Sequence, residues 1–85
     1  MTGQKERVLV LNFEQVRKDC ADHALGLPVQ DSVLILENGI RLEVKLLLSR
    51  RIGNYIRTEF NIIQKTPRKG ILRIFEGSAR VEFLD

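Results

Sequence analysis

The 85-residue chain has one cysteine, one histidine, two prolines and no tryptophan. A lone thiol, Cys20, excludes an internal disulfide framework and suits a reducing, cytoplasmic setting. No stretch approaches the roughly 20 consecutive apolar residues that a membrane-spanning helix needs, so no membrane partner is expected. The opening, Met1 to Arg7, is polar, and the apolar run behind it is too short for a signal-peptide core. Cys20 and His23 lie three apart on a predicted helix, but there is no second cysteine or histidine to complete a zinc site. They also lack the third orienting group that a nucleophilic Cys–His pair requires. The simpler assignment makes Cys20 a small core residue and His23 a cation suited to a helix C-terminus. The carboxylates form no catalytic pair, and the glycines are spaced as turn formers rather than as a phosphate cradle. The sequence therefore predicts a non-enzymatic protein with no cofactor and no metal.

What the chain does contain is a clear alternation of elements. Hydrophobic residues make up 44% of it and charged residues 29%, a globular balance at a length that makes one domain, residues 1–85, with residues 1–6 expected as a flexible tail. Arg7 to Leu11 reads as a short buried strand. Asn12 is then a good helix N-cap, Gln15 stands where a capping box would reach back, and Leu11 and Val16 occupy the positions of a hydrophobic staple. The helix is expected over about 13–25, with Phe13, Val16, Cys20 and Ala24 on its apolar stripe. Glu14–Lys18 and Lys18–Asp22 are opposite-charge pairs four apart on its outer side. Gly26 and Pro28 end it.

Beyond Val29 the period becomes two. Strands are expected at about 30–37, 40–52, 55–65, 71–76 and 79–84, with hairpin tips at Asn38-Gly39, Gly53-Asn54 and Gly77-Ser78. The last two tips put glycine first, as a type II′ turn requires, and Thr66 to Gly70 forms a longer loop. In the long strand Ile40, Leu42, Val44, Leu46 and Leu48 alternate with Arg41, Glu43, Lys45 and Leu47, giving one buried and one wet face. Ile56, Thr58, Phe60 and Ile62 share an inner side, as do Ala79, Val81 and Phe83, while Arg80 and Glu82 point outward. Glu43, Glu59 and Glu82 are expected in cross-strand ion pairs. The fold class is α+β: a single N-terminal helix packed on one face of an antiparallel meander of about five to six strands.

Charge is unevenly spread. The net is +3 overall, but residues 41–75 hold 9 basic and 2 acidic side chains, a net of +7. Arg50, Arg51, Arg57, Lys65, Arg68, Lys69 and Arg73, interleaved with Tyr55 and Phe75, mix cations for phosphates with aromatic faces for bases, as single-strand nucleic-acid binding requires, and all but Arg73 and Phe75 are taken as the binding set. The competing interpretation is a charged sheet face that resists edge pairing. A third expectation is a homodimer, because an open sheet leaves edges, and Leu47, Ile63, Ile71 and Leu84 fall on or near the outer face. A fourth is a small apolar ligand or lipid held between helix and sheet.

Leu46 to Ile56 resembles the opening strand and turn of the carbon storage regulator family, small dimeric β-rich binders of messenger RNA. In that family the motif is N-terminal, whereas here a helix and two strands precede it. The order strand, helix, meander is similar to the cystatin-like arrangement, but the Gln-x-Val-x-Gly inhibitor motif is absent. Phe13 to Val16, Leu27 to Val29 and Glu37 to Leu42 resemble, in pattern, a repeat of bacterial tubular lipid-carrying domains.

Overall fold

The alternation of apolar residues between turn-forming pairs commits most of the chain to strands, and the one stretch with helical spacing lies between the first two. The computed structural model describes residues 7–29 and 31–84. The elements are β1 (Arg7–Leu9), α1 (Phe13–Ala24), β2 (Asp31–Ile35), β3 (Arg41–Ile52), β4 (Tyr55–Ile62), β5 (Lys69–Ile74) and β6 (Ala79–Phe83). The expected tail, residues 1–6, lies outside the described residues, as does Gln30, the expected start of β2.

All six strands form one antiparallel sheet in the order β1-β6-β5-β4-β3-β2. The sheet curls into half a barrel, and α1 packs on its concave face. Val16 and Cys20 of α1 are wholly buried among Leu34, Val44, Phe60, Leu72 and Val81. Phe13 and Ala21 pack at the margin, whereas Ala24, expected on the stripe, is exposed. The last turn meets the sheet through His23 instead, whose Nδ1 lies 2.8 Å from Ser49 Oγ. Gly26 ends the helix in the left-handed region (φ 84°), with the Leu27 N–H donating to the Asp22 carbonyl and the Gly26 N–H to the His23 carbonyl, each at 3.0 Å.

The helix start departs from the capping expectation. Asn12 makes no side-chain cap. Its Nδ2 donates to the Val33 carbonyl at 2.8 Å and its Oδ1 accepts from the Ile35 N–H at 3.0 Å. The amide thus acts as one more peptide unit on the free edge of β2. Beside it the Leu11 N–H donates to the Ile35 carbonyl (2.7 Å), the Glu37 N–H to the Leu9 carbonyl (3.0 Å), and Val10 and Leu36 form a bridge. The two edges of the sheet are therefore fastened together at one end. That fastening also explains the missing staple: Leu11 is held at the seam and stays 58% exposed while Val16 is fully buried. Gln15 reaches forward rather than back, donating to Asp19 Oδ1 at 3.1 Å, and Asp19 Oδ2 accepts from Ser32 on β2. Of the two expected ion pairs on α1, Lys18–Asp22 forms at 3.2 Å.

The hairpin tips are legible but not uniformly placed. Gly53-Asn54 is a two-residue tip with Gly53 at φ 57°, as a type II′ turn requires. At Asn38-Gly39 the loop is one residue longer: the Leu36 N–H donates to the Ile40 carbonyl, and only Gly39 has positive φ (88°). The last tip is Glu76-Gly77 rather than Gly77-Ser78, because the Phe75 N–H donates to the Ser78 carbonyl. Lys69 and Gly70, expected in a loop, belong to β5. Gly70 lies opposite Phe60 and under its ring, so a Cβ there would meet Phe60 Cζ at 2.4 Å.

In β3 the pairing shifts between Leu46 and Leu48, leaving Leu47 as a bulge. Leu48, expected inside with Val44 and Leu46, is turned outward and is 49% exposed, because one extra residue flips every later side chain to the opposite face.

Asn12→Asp separates the two roles of residue 12. Aspartate is as good an N-cap as asparagine, so a capping role would tolerate it. A carboxylate opposite the Val33 carbonyl loses a donor and repels, so Asn12→Asp should destabilise by about 1–3 kcal/mol, comparable to Asn12→Ala. Urea denaturation midpoints of the three proteins check this.

Candidate nucleic-acid interface

Strand register, rather than chain proximity, assembles the basic surface. On the outer face Arg50 lies opposite Arg57, Arg57 opposite Arg73, and Arg73 opposite Arg80. Four arginines from four consecutive strands thus form one row across the sheet, about 14 Å long at the usual strand spacing. Leu9 of β1 continues it beyond Arg80. Like charges directly opposite one another destabilise a sheet, so folding alone does not favour this arrangement.

Two of the four are partly neutralised. Arg57 Nη1 donates to Glu59 Oε2 at 3.0 Å and Arg73 Nη1 to Glu82 Oε1 at 2.7 Å. Arg50 and Arg80, at the two ends, are exposed and make no ion pair with a described residue. The acids belong to the adjacent row, where Leu48, Glu59, Ile71 and Glu82 lie in register. Glu59 therefore has Leu48 and Ile71 as its direct neighbours and turns to Arg57 along its own strand, not across strands as expected. Glu82 points outward as predicted but is only 8% exposed, and Ile71 beside it only 7%. The expected open apolar patch is correspondingly reduced: Ile71 is covered, and Leu84 is half-buried.

On the other side of the arginine row the rings of Tyr55 and Phe75 stack with centroids 5.3 Å apart and 29° between planes. Tyr55 precedes Arg57 by two residues and Phe75 follows Arg73 by two, so the ring pair flanks the middle of the row.

The residues predicted from sequence divide four ways. Arg50, Arg57 and Tyr55 come together on the outer face. Arg51 falls on the concave side, opposite Ile56, and lines the same groove as Arg17 of α1. Lys65 and Arg68 lie in the loop after β4, where the Arg68 guanidinium sits 5.5 Å from the centre of the Phe83 ring. Lys69 shares the outer face but stands four residues along β5 from Arg73, about 13 Å away. Arg80 was absent from the sequence-derived set because its own segment, 76–85, is net acidic. A two-residue tip at Glu76-Gly77 is the signal that puts it opposite Arg73.

Under α1 the polar residues form a closed chain. Thr58 hydrogen-bonds Cys20, Thr58 Oγ1 lies 2.9 Å from Ser49 Oγ, and Ser49 reaches His23. Burial pushes the Cys20 thiol up to about 11, with the Asp19 charge adding to the rise and the Thr58 hydrogen bond opposing it. Such a thiol is neutral at physiological pH and is no nucleophile. Among the described residues no three His, Cys, Asp or Glu side chains gather into a metal-holding group, and no helix is long and apolar enough to cross a membrane. No protein-family model, curated protein or solved structure matches the chain.

The thiol gives a pH prediction. Its folded pKa lies above the ordinary 9.0, so the neutral form stabilises the fold below pH 9, and that contribution disappears as the pH rises through about 11. Between pH 8 and pH 10.5 the native protein should lose about 2 kcal/mol more stability than Cys20→Ala does, as read by urea denaturation at both pH values.

Proposed function

We propose that the protein binds single-stranded nucleic acid across the outer face of its sheet, without catalysis. The observation that carries this reading is the in-register row Arg50, Arg57, Arg73 and Arg80 beside the Tyr55–Phe75 ring pair. A phosphodiester backbone laid along the row meets a guanidinium on each strand it crosses, and unstacked bases have aromatic faces within reach. Duplex binding is less well supported, because a paired base cannot stack on a side-chain ring. A cytoplasmic site of action fits the single buried thiol.

Homodimerisation through the same face has an observation in its favour: Leu9, Leu48 and Ile52 are 40%, 49% and 39% exposed around the row. The row itself weighs against it, since a two-fold interface would set arginines against arginines. Edge pairing is weakened too, because Asn12 and the Val10–Leu36 bridge occupy part of both edges. An enclosed apolar ligand is not favoured by an interior in which Val16, Cys20, Leu34, Phe60, Leu72 and Val81 are fully buried in one cluster.

Titration of a labelled single-stranded RNA at several salt concentrations tests the reading. Two to four neutralised phosphates give a slope of log K against log salt of about −1.4 to −2.8, at about −0.7 per phosphate. Arg50→Ala/Arg80→Ala should flatten that slope by about 1.4. Tyr55→Ala should weaken single-stranded binding more than duplex binding. No binding at low salt, or a slope unchanged by the double substitution, would remove the proposal.

A further inference from the structure

The bulge at Leu47 also brings Lys45 onto the outer face with Arg50. The two residues are five apart, an odd separation that strict alternation would put on opposite faces. The extra residue in β3 sets both on the same one. Register then extends Lys45 into a row of its own, with Lys45 opposite Asn61 and Asn61 opposite Lys69. On β4 and β5 this second row stands four residues from the arginine row, Asn61 from Arg57 and Lys69 from Arg73, or about 13 Å. It crosses three strands and is about 10 Å long.

Lys45 and Lys69 are exposed and make no ion pair with a described residue. Asn61 between them is half-buried, and its amide offers both a donor and an acceptor. Asp31, opposite Lys45 on β2, is exposed and ends the row with an acid. Leu48, Glu59, Ile71 and Glu82 fill the band between the two cationic rows. The carboxylates in that band are engaged by arginines, Glu59 by Arg57 and Glu82 by Arg73. Two lines of phosphate about 13 Å apart are separated by more than the Debye length of about 10 Å at 0.1 M salt, so they repel each other weakly. A nucleic-acid backbone can therefore occupy both rows at once.

We propose that a single strand lies on this face in two passes, out along Arg50, Arg57, Arg73 and Arg80 and back along Lys45, Asn61 and Lys69. The proposal rests on the single-strand reading above and sets the length of its ligand. The arginine row, about 14 Å long, holds at most about four nucleotides at a stacked rise of about 3.4 Å. Both rows and the crossing between them come to about 37 Å, or at most about 11 nucleotides. A tetranucleotide covers one row and takes the arginines, which are more numerous and lie beside the ring pair. A dodecanucleotide reaches both.

Titration of oligouridylates of four and twelve nucleotides at several salt concentrations tests the second pass apart from the first. With the dodecamer, Lys45→Ala/Lys69→Ala should flatten the slope of log K against log salt by about 1.4, at about −0.7 per phosphate. With the tetramer the same substitutions should leave the slope unchanged. Lys18→Ala/Arg51→Ala removes equal charge from the helix and the concave side and should change neither slope. All four substituted side chains are exposed, so the variants keep the fold. A dodecamer slope that the lysine substitutions leave unchanged, or that Lys18→Ala/Arg51→Ala flattens equally, would overturn the second pass and leave the arginine row as the whole site. A tetramer flattened as much as the dodecamer would overturn it too. So would a twelve-pair duplex that the lysine substitutions weaken as much as the dodecamer, because the two rows would then hold paired strands. Failure of both oligouridylates to bind at low salt would remove the arginine-row reading itself.

Discussion

One extra residue in β3 decides what this sheet can do. Before the bulge at Leu47, Val44 and Leu46 point into the core; after it, Ser49 and Arg51 take the concave side and Leu48, Arg50 and Ile52 the convex side. Without the bulge, strict alternation would bury Leu48 and direct Arg50 beneath the helix. The shift costs the exposure of a leucine and has two returns. Ser49 joins Thr58, Cys20 and His23 in a satisfied polar chain, and Arg50 aligns with Arg57 to begin the row of four. Bulges re-aim side chains near functional sites, and this one determines the composition of the candidate surface.

The row is held on a frame with few loose ends. Asn12 and the Val10–Leu36 bridge join the outermost strands, and the Gln15–Asp19–Ser32 contacts tie the helix to β2. No buried side-chain nitrogen or oxygen among the described residues lacks a partner. Arg50 and Arg80, like Arg51, make no ion pair with a described residue. A sheet selected only for stability would place acids opposite arginines, and this one places its acids a row away, where among the described residues they pair with the two central arginines and not with the outer two.

The fold was largely legible because its signals are local: helical spacing from Phe13 to Cys20, Gly26 past the helix end, and glycine-bearing turns between period-two segments. Three features were not local. Asn12 carries a strong N-cap signature, but its amide serves a strand 21 residues away, and no pattern in the sequence marks that strand as its partner. The bulge at Leu47 lies in Leu46-Leu47-Leu48, where three identical residues hide which one is extra. The last hairpin tip was displaced by one residue, and a Gly77-Ser78 tip would have set Arg73 opposite Glu82 rather than Arg80. The site depends on exactly those registers, so charge counting found the basic middle of the chain but grouped Arg51, Lys65, Arg68 and Lys69 with residues they do not join.

The central claim is that the arginine row is a binding device held at some expense of stability. Urea denaturation in low salt, with and without a single-stranded oligonucleotide, tests it most directly on wild type and Arg50→Gln/Arg80→Gln. The account predicts that the variant alone is at least as stable as wild type, since like-charge neighbours have been removed, and that wild type gains the larger shift from the oligonucleotide. A variant that is less stable on its own, or an oligonucleotide that shifts neither midpoint, would contradict it.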